Sequence, residues 1–115
     1  MVKNKVTEVI LGGEEIHINA ISYYEIKRGL LAADANQQLS RFDSLCKKFG
    51  LLLLDTVSTF DEAAEIYADL RKKGGLVEDA DILIASLAKA KDLTLITDDT
   101  DFQRIQGLKI ENWLS

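Results

Sequence analysis

The chain has 115 residues, 47% of them hydrophobic and 29% charged, with a formal net charge of −5. That is enough apolar material for one domain with a real core, while the acidic balance argues against a broad basic surface that grips nucleic acid nonspecifically. The single cysteine, Cys46, excludes an intrachain disulfide and a thiolate metal cage, and no apolar run approaches the length needed to cross a bilayer, so a cytoplasmic protein with no membrane partner is expected.

In chain order, residues 15–20 alternate apolar and polar and predict a short strand, with His17 on its polar side in a surface or hydrogen-bonding role. Ser22 and Glu25 have the Ser-x-x-Glu spacing of a capping box, which predicts a helix over residues 22–33. A second helix is expected over 35–49, with Leu39, Phe42, Leu45, Cys46 and Phe49 on one apolar face and Gly50 ending it. Residues 51–54 are all leucine, as in a parallel strand covered on both faces, and Asp55 then marks the rim. Thr59 and Glu62 repeat the capping-box spacing before a helix to Lys73, stopped by Gly74 and Gly75. A helix over 79–91, a strand over 93–96, a helical turn over 102–105 and an extended segment over 108–113 complete the series. Strands alternating with helices predict an α/β fold, a parallel central sheet with helices on both faces, in one domain over residues 1–115.

The acidic residues carry the functional signal. The strand at 93–96 runs into Thr97 and then Asp98, Asp99 and Asp101. Strand tips are where sites collect in parallel α/β sheets, and acids so close are relieved by exposure, a raised pKa or a divalent cation. Taken alone, a polar turn that stops the strand is the favoured explanation, and other acids must decide it. Asp81 adds a second clue, because it shares a helical stripe with Ile84, Ala85 and Ala88, where a carboxylate is costly unless hydrogen-bonded, protonated or bound to a cation. The helix dipole accounts for Asp79. Glu25 lies in line with Ile21 and Gly29, and is either the capping-box acid of Ser22 or a neighbour of the strand tips.

Glu25, Asp81 and the Asp98, Asp99 and Asp101 group come from separate βα junctions, which is how a carboxylate-lined pocket is assembled. Oxygen ligands without cysteine or paired histidines point to Mg2+ or Mn2+ rather than zinc. Such ions lower the pKa of water and clamp phosphodiester oxygens, which points to phosphodiester hydrolysis.

The order of motifs resembles the PIN-domain ribonucleases, specifically the toxin subunits of VapBC-type toxin-antitoxin pairs. Its carriers are Ile18-Asn-Ala-Ile-Ser-Tyr-Tyr-Glu-Ile-Lys-Arg-Gly29, Asp61-Glu-Ala-Ala-Glu-Ile-Tyr67, Glu78-Asp-Ala-Asp-Ile-Leu-Ile-Ala85, Leu93-Thr-Leu-Ile-Thr-Asp-Asp99 and the closing segment from Phe102 to Leu114. The resemblance implies a PIN-like three-layer fold and a magnesium-dependent endoribonuclease. Glu25 would be the second acid of the set, Asp81 the third and Asp99 the fourth, with Asp79 and Asp101 at positions often acidic and Thr97 orienting the fourth acid or a water. It also implies a homodimer, a VapB-like antitoxin that blocks the acidic pocket, and an RNA substrate, with tRNA suggested by the closest subgroup. Lys27, Arg28 and Arg104 are candidates to hold RNA, against the plainer reading of solvated helix faces.

One departure stands out. The family's opening strand, which ends in the first catalytic aspartate, has no counterpart before Lys3, and residues 1–11 look like the family's first helix region, as though about a dozen residues preceded them. The expected consequences are exposed ladder edges beside the gap and weaker metal binding, with nuclease activity reduced or absent. The alternatives are a misassigned start and a catalytically degenerate subunit that acts by binding an antitoxin or itself. A receiver-like phosphotransfer domain using Asp55 ranks last.

Overall fold

A computed structural model describes residues 9–12 and 15–112. Its elements in chain order are β1 (Val9–Gly12), β2 (Glu15–Asn19), α1 (Ala20–Ala32), α2 (Asn36–Phe49), β3 (Leu51–Leu52), α3 (Val57–Lys73), α4 (Asp79–Ala90), β4 (Thr94–Ile96), a 3₁₀ turn (Thr100–Arg104) and β5 (Lys109–Glu111). The strands form one sheet in the order β3-β2-β1-β4-β5. β2 and β3 pair in parallel, as do β4 and β5. This is the expected α/β architecture, with one addition at its centre: β1 runs antiparallel to both β2 and β4.

The helix expected over residues 1–11 is replaced, where described, by that strand; residues 1–8 lie outside the described residues, as does Trp113 of the expected closing segment. The direction of β1 follows from chain length. Only two residues separate Gly12 from Glu15, far too few for a parallel crossover, so β1 can pair with β2 only in the antiparallel sense. It then satisfies the inner ladder edges of both β2 and β4, the edges that a gap at this position would expose.

Two helix starts move relative to their capping-box patterns. α1 is capped by Asn19, whose Oδ1 accepts the Ser22 N–H at 2.7 Å, so the helix begins before Ser22 and Glu25 falls in its second turn. Asparagine is at least as good a cap as serine, and it stands directly at the end of β2. α3 starts at Val57 after Thr56. Thr59 is buried within that helix, its hydroxyl 3.0 Å from that of Thr56, and Glu62 pairs instead with Lys89 of α4 at 2.9 Å. Gly74, left-handed at φ 76°, ends α3.

β3 also departs from expectation. It is only two residues long and lies at the sheet edge, with Leu51 38% and Leu53 55% exposed, because it has a partner strand on one side alone.

Alternation along the strands separates two cores. On one face Ile10 and Leu95, cross-strand partners and both fully buried, pack with Ile66 and Leu70 of α3, Ile84, Leu87 and Ala88 of α4, and Phe102 and Ile105. On the other, Ile18 packs with Phe42 and Cys46 of α2 and with Tyr23 of α1, whose ring stacks on Phe42 at 5.7 Å. Burial pushes the Cys46 thiol up, as befits a small core residue.

Ile10 is therefore the side chain through which the central strand grips the larger core. Ile10→Ala is expected to cost about 2–5 kcal/mol, measured by urea unfolding, whereas Leu51→Ala at the exposed edge should cost less than about 1 kcal/mol.

Candidate metal centre

The geometry of the site begins where β4 ends. The Thr97 N–H donates to the Glu111 carbonyl at 3.0 Å, extending the β4–β5 pairing by one residue and pinning Thr97, which is buried. Its Oγ1 accepts the Asp99 N–H at 3.1 Å, and Asp99 Oδ1 in turn accepts the Asp101 N–H at 3.0 Å. Side chains that bond to backbone two residues on form local turns of this kind. Asp99 thereby caps the 3₁₀ turn, which Phe102 anchors in the core. Local hydrogen bonds thus hold the Asp99 carboxylate and the backbone that carries Asp101.

The third comes from α4. Asp81 lies in its first turn at 4% exposure, among Ile82, Ile84 and Ala85. Carboxylate oxygens of Asp81, Asp99 and Asp101 lie within 4.8 Å of one another. Hard oxygen donors with no thiol or imidazole are the set that Mg2+ or Mn2+ takes, so the residues fit a divalent cation. Their mutual repulsion is also what a cation relieves.

The remaining candidates occupy distinct places. Glu25 lies outside the trio, on α1, which packs against α4; its side chain is 17% exposed, with Oε1 shielded from solvent and Oε2 4.0 Å from Arg28. Asp79 and Asp98 are exposed and not part of the trio. Arg104 stands beside the site, 3.9 Å from Asp101, and also donates to the Leu76 carbonyl at 3.5 Å. Arg28 lies over the Tyr24 ring. Lys27 bridges α1 and α2 and donates to the Tyr23 hydroxyl at 2.9 Å and to Asp43 at 3.5 Å. The phenol hydrogen bond, with the Asp43 carboxylate, raises the Lys27 pKa.

Asn19 is the residue that sequence reasoning passed over: fully buried, it caps the helix that carries Glu25. An asparagine at the last position of a strand, just before a helical pattern, is the signal that finds it. For Thr97, the isosteric Thr97→Val removes the acceptor of the Asp99 N–H. A stability loss of about 1–3 kcal/mol is expected, read from thermal unfolding, with Thr97→Ser retaining most of it.

Comparison with known proteins adds the family. The PIN domain matches residues 3–108. Ribonuclease VapC2 of Rickettsia felis is 30% identical over 108 residues, covering 92% of this chain and 80% of that protein. Ribonuclease VapC1 of Methanocaldococcus jannaschii is 36% identical over 103 residues, covering 87% and 71%. Among solved structures, VapBC2 from Rickettsia felis bound to a DNA fragment from its promoter superposes with a TM-score of 0.77 at 28% identity, covering 84% of this chain and 74% of that one. VapBC-1 from nontypeable Haemophilus influenzae gives 0.82 at 22% identity, covering 91% and 79%, a likeness of fold. With the family match spanning nearly the whole chain and the relatives sharing one type, this chain belongs to the PIN-domain family, in its VapC type.

Proposed function

We propose that this chain is a magnesium- or manganese-dependent endoribonuclease that hydrolyses RNA phosphodiester bonds. The observation that carries the reading is the convergence of Asp81, Asp99 and Asp101 within 4.8 Å, in a chain whose relatives include proteins named Ribonuclease VapC. A divalent cation at such a site supplies water of lowered pKa and neutralises phosphodiester charge.

The chain's own residues divide the remaining work. Asp81, fixed on a helix amid apolar neighbours, and Asp99 and Asp101, fixed by the Thr97 turn, present preorganised oxygens. Glu25 approaches from α1 and extends the acidic set. Asp79, exposed at the start of α4, adds negative potential at its mouth. Arg104, half exposed and next to Asp101, can exchange that ion pair for an RNA phosphate. Arg28 and Lys27 lie further along α1, where an RNA backbone leaving the site can meet them. The same acidic cluster suits a VapB-like antitoxin that presents a basic side chain, and a homodimer is the expected assembly. tRNA is the proposed substrate class.

One observation favours a second reading, a non-cleaving subunit that binds an antitoxin or itself. β1 enters the sheet at the edge carrying the acids, with Val9 paired to Ile96, instead of leaving there with an aspartate as the family pattern expects.

The test is cleavage of bulk tRNA by the full chain in Mg2+ or Mn2+. Cleavage that chelation abolishes, and that Asp81→Asn lowers about 100-fold or more, is the expected result. Wild-type protein that stays inactive in excess cation while still binding an antitoxin would establish the second reading.

A further inference from the structure

Ser22 is fully buried, and its Oγ has no hydrogen-bond partner among the described residues. A helical serine normally gives its hydroxyl to the carbonyl a turn back or to solvent. Ser86 of α4 does so, donating to the Leu83 carbonyl at 2.8 Å. Ser22 does neither. A buried hydroxyl without a protein acceptor costs about 1–3 kcal/mol unless something else bonds it, and in folded proteins that something is an ordered water.

The position of Ser22 gives that water a role. Asn19, Ser22 and Glu25 follow at intervals of three and share one face of α1 and its cap. Val9 is in register with both Ile18 and Ile96. Asn19 and Thr97 therefore leave the sheet at the same edge, on either side of β1, roughly 10 Å apart. The neighbouring Ile21 packs against the core cluster that contains Ile82 and Ala85 of α4, the helix that carries Asp81. Ser22 thus lies one turn before Glu25 on α1, the helix that packs against α4, beside the sheet edge from which the acidic turn rises.

We infer that Ser22 is a positioning residue of the acidic site: its hydroxyl holds a buried water, shared with the Glu25 carboxylate, that hydrates the divalent cation taken by Asp81, Asp99 and Asp101. This rests on the metal-dependent reading above. It makes α1 part of the cation site through a water rather than through Glu25 alone, and gives the buried hydroxyl a bonded partner.

The test is Mn2+ titration of the metal-free full chain, followed by electron paramagnetic resonance, with thermal unfolding in parallel. Ser22→Ala is expected to weaken Mn2+ binding about tenfold or more, with an unchanged or higher melting temperature in metal-free buffer. Ser22→Thr, which keeps the hydroxyl, should bind Mn2+ within about threefold of wild type. Unchanged Mn2+ affinity in Ser22→Ala, alongside a loss in Asp99→Asn, overturns the inference and leaves the metal-dependent reading standing. A clear fall in the metal-free melting temperature of Ser22→Ala also overturns it, because the hydroxyl would then be bonded to protein. Unchanged affinity in both variants overturns the metal-dependent reading, and this inference with it.

Discussion

The pairing of β1 with both β2 and β4 is the interaction on which the rest of the structure depends. Without those four residues the sheet would be two separate parallel pairs, β3 with β2 and β4 with β5. A two-stranded unit of that kind is marginal on its own. β1 supplies both missing ladders and places Ile10 opposite Leu95 at the centre of the larger core. It also sets Ile18 and Ile96 level with one another, so α1 and the acidic turn rise from one edge of the sheet. The reversed direction of β1 costs the core nothing, because side-chain alternation is the same whichever way a strand runs.

The acidic site is then assembled by a short chain of dependencies. Pairing with β5 holds Thr97, Thr97 holds the Asp99 backbone, and Asp99 holds that of Asp101. Asp81 is set by its place in the buried first turn of α4. Like charges gathered this closely are kept together by covalent geometry and backbone hydrogen bonds rather than by attraction for one another. Arg104 offsets part of the repulsion at the exposed end. A net charge of −5 is therefore compatible with a site that meets RNA: three of the acids converge where a cation would neutralise them, and Arg104 lies beside them.

Much of this was legible locally. Helix periodicity located α2, α3 and α4 to within a few residues, and the stripe of Ile84, Ala85 and Ala88 marked Asp81 as buried. Capping patterns misled twice, because Ser22 and Thr59 have the right spacing to an acid while Asn19 and Thr56 precede them. A cap is chosen by where the preceding strand or loop releases the chain, which a four-residue pattern does not encode. The leucine run at 51–54 carried no sign of its place at an edge, since hydrophobicity reports the company a strand needs and not the side on which it is found.

By itself the sequence determined the alternation of strands and helices, the stop signals at Gly50 and Gly74, and the presence of acids at helix starts and strand ends, all of which depend on neighbours a few positions away. Only the tertiary structure decided that residues 9–12 fill the centre of the sheet in reverse, and that Asp81 meets Asp99 and Asp101 while Glu25, on α1, is not one of that trio and Asp79 is exposed. Those outcomes are set by strand register and helix packing between segments up to about ninety residues apart in sequence, distances over which no local pattern carries information.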